Sequence, residues 1–112
     1  MRIFAVTAFA IALLLASAAG AQRTTATLRI EPNAAPAWSS AHGSGCGYSR
    51  DSEIYIDIQK PEAHAFLSAM SNAEGCISFD FTTDGPGTYF LEARQRTRNT
   101  WRVLARYELP VR

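Results

Sequence analysis

Polar and apolar residues alternate along most of the chain, and this period of two predicts strands rather than helices. Ala26, Leu28 and Ile30 alternate with Thr27, Arg29 and Glu31 until Pro32 ends the run. Ile54, Ile56 and Ile58 alternate with Glu53, Tyr55, Asp57 and Gln59, the cleanest strand pattern in the sequence. β-branched residues at every second place suit a half-buried pleated surface, and Lys60-Pro61 stops it because proline cannot donate to the ladder. Ile77, Phe79 and Phe81 form a third such face. Tyr89, Leu91, Ala93 and Gln95 then face one way on a long strand. Trp101, Val103, Ala105, Tyr107, Leu109 and Val111 do so on its partner, the two joined near Arg98-Asn99 as a hairpin.

Turn signals punctuate these runs. Ser71 to Gly75 and Thr83 to Gly87 are rich in residues that accept turn geometry. Residues 33–47, with their prolines, glycines and serines, read as a long surface connection with at most a short irregular strand around Ala37-Trp38. The stretch from His64 to Ser71 fits either a helical turn or a strand, and its length favours strand. Five or six extended runs without a long helix predict a small all-β protein, an antiparallel β-sandwich.

The first 21 residues stand apart. Met1-Arg2 is followed by an uncharged apolar run to Ala16 and then by small residues ending in Ala19-Gly20-Ala21. This is the layout of a secretory signal peptide cut after Ala21, and its roughly 14 apolar residues are few for a membrane span of about 20. The expected division is therefore 1–21 signal peptide and 22–112 one folded domain, located outside the cytoplasm: secreted, periplasmic or at the cell surface. One of the eleven Lys and Arg residues is Arg2, so ten remain against ten Asp and Glu. A net charge near zero argues against a general binder of nucleic acid or anionic membranes.

Export places Cys46 and Cys76 in an oxidising compartment, where a lone pair is expected to form a disulfide. The loop so closed, about 31 residues, is worth about 3.5–4 kcal/mol in chain entropy. No G-x-S-x-G, H-E-x-x-H or phosphate-binding glycine loop occurs. His42 and His64 read as solvated residues, although His42 near a serine and a carboxylate, Asp51 for example, is the pairing a hydrolase would need. Asn72, Glu74, Asp80 and Asp84 lack the dense spacing of a calcium loop. The expectation is a non-enzyme without metal or cofactor.

Three segments resemble secreted bacterial immunoglobulin-like or fibronectin type III-like modules. Gly45-Cys46-Gly47-Tyr48 through Ser52 is similar to the lead-in to such modules' second strand. Ser71 to Gly75 resembles their D-x-x-G hairpin turn, and Pro86-Gly87-Thr88-Tyr89 resembles the start of their sixth strand. The resemblance implies that Tyr89 is a corner tyrosine whose hydroxyl bonds backbone just upstream. Leu91 stands where antibody domains carry their second cysteine, so a Cys46–Cys76 bridge is not their intersheet pair.

The candidate partner-binding surface is the last hairpin. Alternation predicts that Arg94, Arg96, Arg102 and Leu104 face outward, with Arg94 opposite Leu104 and Glu92 opposite Arg106. Unpaired guanidiniums around an exposed leucine suit an acidic glycan or an acidic protein. A solvated face that blunts edge pairing is the plainer reading. Other readings stay open: a structural spacer or self-assembly subunit, an inhibitor inserting residues 33–50 into an enzyme, and a small-molecule carrier.

Overall fold

The structure, a computed structural model, describes residues 25–112; the predicted signal peptide lies outside them. Seven strands and no helix make up these residues: β1 Arg29–Glu31, β2 Ser40–Gly45, β3 Glu53–Gln59, β4 His64–Met70, β5 Ile77–Thr82, β6 Gly87–Thr97 and β7 Thr100–Val111. All pairings between them are antiparallel, in a three-stranded sheet ordered β1-β2-β5 and a four-stranded sheet ordered β4-β3-β6-β7. The protein is thus a small all-β sandwich, as the alternation predicts.

The core lies between the inner faces. Ile54, Ile56, Ile58, Tyr89, Leu91, Ala93 and Leu109 of the larger sheet meet Ile30, Ala41, Ile77, Phe79 and Phe81 of the smaller one. The ambiguous stretch after Ala63 is strand β4, its Ala65, Leu67 and Ala69 paired with the buried isoleucines of β3.

Strand β2 corrects the reading of residues 33–47 as surface connection. It is the central strand of its sheet, with Ala41, Gly43 and Gly45 buried and Ser40, His42 and Ser44 outward. Small inward residues are required there because the partner strand supplies the volume. Gly43 is the register partner of Phe79, and a Cβ on Gly43 would sit 2.1 Å from the Phe79 ring. An aromatic ring covering a cross-strand glycine shields the strand where it has no side chain of its own.

Cys46 and Cys76 are disulfide-bonded. They follow the last β2–β5 register pair, Gly45 and Ile77, so the bond staples two strands of one sheet. The turn at 71–75 is not a hairpin turn: β4 and β5 belong to different sheets, and the chain crosses between layers there. The Asn72 side-chain oxygen accepts the N–H groups of Glu74 at 3.0 Å and Cys76 at 2.9 Å, and Gly75 takes a φ of 76°. This local bonding lets the chain cross without leaving those donors unmet.

A second correction concerns the face of β7. The ladder from β6 to β7 shifts register between Ala93 and Arg94: Ala93 pairs with Ala105, but Arg94 pairs with Val103. Leu104 is the extra residue of a bulge, and it packs against the core instead of pointing to solvent. An inserted residue reverses the facing of everything beyond it. Trp101, predicted inward, is therefore exposed on the outer face beside Arg96, its register partner. Arg102 pairs with Gln95 and shares that residue's inward-facing side at the rim of the sandwich.

Candidate functional site

The outer face of the four-stranded sheet is built from every second residue of β4, β3, β6 and β7. Register places Phe66, Asp57, Glu92 and Arg106 in one row across the strands, and Ser68, Tyr55, Arg94 and Val103 in the next. His64, Gln59, Phe90 and Glu108 form the row on one side of these.

Charges of alternating sign run across the middle of this face. His64 hydrogen-bonds Asp57, which is almost fully buried beneath its neighbours. Arg94 reaches Asp57 at 3.1 Å and Glu92 at 2.7 Å, and Arg106 reaches the other Glu92 oxygen at 3.1 Å. The guanidinium of Arg94 first, and that of Arg106 second, hold the Glu92 carboxyl below the usual carboxylate range. Glu92 in turn strengthens the hold of Arg94 on its proton. The Nε–H of Arg94 is buried without a hydrogen-bond partner. Arg94 is therefore a paired, partly enclosed residue and not the free guanidinium predicted from alternation.

Beside this network lies an aromatic row. The rings of Tyr55 and Phe66 stack with centroids 5.2 Å apart, and Tyr55 and Trp101 lie 5.4 Å apart. Phe66 is 60% exposed and Trp101 40%. Apolar rings contiguous on a sheet face contribute little to the core, and such surfaces mark sites of interaction. At the end of the row Arg96 stands next to Trp101, its Nε–H donating to the Arg98 carbonyl at 3.3 Å. Of the four residues predicted to bind a partner, Arg94 and Arg96 share the outer face, while Arg102 and Leu104 are turned from it by the bulge.

Sequence reasoning missed the aromatic row. Tyr55 was legible as outward from the isoleucine alternation. Phe66 is hidden in a stretch of undecided period, and Trp101 reads as inward because nothing in the sequence marks the bulge.

The outer face of the smaller sheet carries a second constellation. His42 Nδ1 lies 2.8 Å from an Asp80 oxygen, and His42 Nε2 lies 3.2 Å from the Ser78 hydroxyl. His42 and Asp80 are cross-strand partners, so sheet register alone brings them together; Asp51 takes no part. The order serine, histidine, aspartate matches that of a hydrolytic triad. Here, however, the side chains stand on an open face, that of Asp80 being 84% exposed. The clefts lined by Trp38 and Lys60, by Phe90 and Arg106, and by Arg29 and Asn33 do not include them. On so open a face, donors to a developing oxyanion compete with bulk water. The arrangement is a hydrogen-bonded row on the surface of the smaller sheet.

Among the described residues no cluster of His, Cys, Asp and Glu is suited to hold a metal ion, and no helix is long and apolar enough to cross a membrane. The chain matches no protein-family model and no curated protein.

Proposed function

We propose that this protein is an exported, non-enzymatic binding module that engages an acidic glycan on the outer face of its four-stranded sheet. The exposed Phe66–Tyr55–Trp101 row ending at Arg96 carries the reading. Aromatic planes stack on the apolar faces of sugar rings, and a guanidinium pairs with carboxylate or sulfate. Arg96, Arg98 and Arg102, which make no ion pair among the described residues, give the tip of the hairpin a positive field. Export is supported by the leader-like residues 1–21 and by the disulfide, which is consistent with an oxidising compartment.

The fold is proposed to be of the fibronectin type III-like kind. The division into three and four strands, with β4 beside β3, supports this over the antibody constant arrangement, in which the fourth strand joins the sheet of the first. The bonds of Tyr89 to the turn before it, at 2.8 Å, are those of a corner tyrosine and support the immunoglobulin-like class as a whole.

A glycan array carrying uronate-containing and sulfated oligosaccharides beside their neutral counterparts tests the function. Retention on the acidic members, weakened by salt, is the expected result. Binding to no acidic glycan contradicts it, and capture of an acidic protein in its place would move the proposal to a protein partner.

One observation favours a second reading, self-assembly. Edge strand β4, HAFLSAM, carries no Lys, Arg, Asp, Glu or Pro, the devices that normally blunt an edge. Its Phe66 and Met70 are exposed. Sedimentation of the purified protein distinguishes the two: a monomer across micromolar concentrations excludes edge-to-edge assembly.

A further inference from the structure

At one end of the sandwich the β1–β2, β3–β4 and β5–β6 connections meet around a cleft of about 540 Å3, lined by Trp38, Lys60, Pro61, Glu62, Asp84 and Pro86 among others. The site is separate from the aromatic row and from the arginine hairpin.

Trp38 is the most exposed large apolar side chain among the described residues, at 76%. Its backbone lies in the left-handed region, with φ 57°, a conformation costly to any residue bearing a branched or bulky side chain and natural to glycine. The surroundings fix it there. Its N–H donates to the Asp84 carbonyl at 3.0 Å, and the Ala37 N–H donates to the Arg112 carbonyl at 2.7 Å. The next residue, Ser39, donates its N–H to the Thr83 hydroxyl at 2.9 Å. That hydroxyl, on a buried residue, donates to the Pro36 carbonyl at 2.7 Å. A rigid, strained backbone thus holds an indole in water. The fold needs only a left-handed residue at this point, so the indole serves something other than packing.

The chemistry of the cleft narrows the ligand. Lys60 Nζ donates to Asp84 Oδ2 at 2.7 Å, with the Lys60 side chain 12% exposed. The pair is charge-compensated and presents donor and acceptor side by side: an ammonium with N–H groups to spare and a second carboxylate oxygen. Two neighbouring hydroxyls match it, one accepting from Lys60 and one donating to Asp84. Glu62 leaves the cleft with one net negative charge, which disfavours carboxylated, sulfated or phosphorylated ligands. A flat indole takes the apolar face of a sugar ring. The volume falls within the roughly 300–1,000 Å3 of small-ligand sites.

We infer that this cleft is a subsite for a neutral sugar unit, stacked on Trp38 and hydrogen-bonded through two adjacent hydroxyls to the Lys60–Asp84 pair.

Trp38 and Trp101 are the only tryptophans, so the Trp101→Ala variant makes Trp38 the sole indole reporter. Titration of that variant with maltotetraose, cellotetraose, mannotetraose and N-acetylchitotetraose is expected to give a saturable fluorescence change with at least one of them. Calorimetry with the same sugar should then show binding at least about tenfold weaker in Trp38→Gly. Because glycine tolerates the left-handed backbone, that variant should retain the wild-type melting temperature or exceed it, which separates loss of binding from loss of fold. No saturable change with any of the four sugars overturns the inference, as does undiminished binding by Trp38→Gly. A response to oligogalacturonate equal to that of the neutral sugars, or to decaproline in place of any sugar, overturns it equally.

Discussion

The Tyr89 hydroxyl donates to the Gly85 carbonyl at 2.8 Å and accepts the Asp84 N–H at the same distance. The ring of Tyr89 is fully buried, so one side chain fixes both the core at the start of β6 and the turn that leads into it. Tyr89→Phe keeps the packing but strands a backbone donor and an acceptor. The expected loss is about 1–2 kcal/mol, read as a lower urea midpoint with an unchanged slope. Unaltered stability would mean that the turn is held by other contacts.

Glu92 gives a prediction at acid pH. Its carboxyl, ordinarily near 4.5, is held lower by Arg94 and then Arg106. A depressed folded-state value means that the unfolded chain takes up the proton first, so this stability is present above the ordinary value and fades as pH falls through and below it. Glu92→Gln should cost about 1 kcal/mol at neutral pH, as a partly exposed pair does. Its denaturation curve should converge with that of the wild type at the acid end. A gap independent of pH would assign the loss to packing.

Tyr48 gives the mirror case. Burial pushes its phenol up to about 12 from 10.0, and its hydroxyl donates to the Thr27 carbonyl at 2.6 Å. Here the folded state holds the proton more tightly, so stability is complete below pH 10 and is lost as pH rises from about 10 to 12. Alkaline titration followed by phenolate absorbance should show a late phase, concurrent with unfolding, to which Tyr48 contributes. Tyr48→Phe should show a smaller late phase. A full complement of tyrosines ionising near pH 10 in the folded protein contradicts the assignment.

How much of this was legible in the sequence depends on what signals each element. The strands whose inward residues are large, such as Ile54-x-Ile56-x-Ile58, declare their period outright. Strand β2 has the same period, but its inward Ala41, Gly43 and Gly45 resemble a loop. The volume that fills its face belongs to Phe79, 36 residues further along. The β7 bulge left no local mark, because Trp101-x-Val103-x-Ala105-x-Tyr107 reads as an unbroken apolar face. One extra residue, Leu104, places Trp101 on the outer surface and turns Arg102 away from it. The Asp57–Arg94–Glu92 contacts were illegible for a related reason, since they depend on which strand lies beside β3. By contrast, Tyr89 was found from its local Pro-Gly-Thr-Tyr context, because its partners lie four and five residues upstream.

The most direct test of the proposed function is calorimetric titration of oligogalacturonate and of heparin fragments into the wild type and the Arg96→Ser/Trp101→Ala double variant, at about 50 and 300 mM salt. Both substituted side chains are exposed on the outer face, so the fold should be unchanged. The account predicts that the wild type binds at least one of these glycans, more weakly at the higher salt. The double variant should bind it at least about tenfold more weakly at low salt. Absence of binding by the wild type, or equal binding by the two proteins, would contradict it.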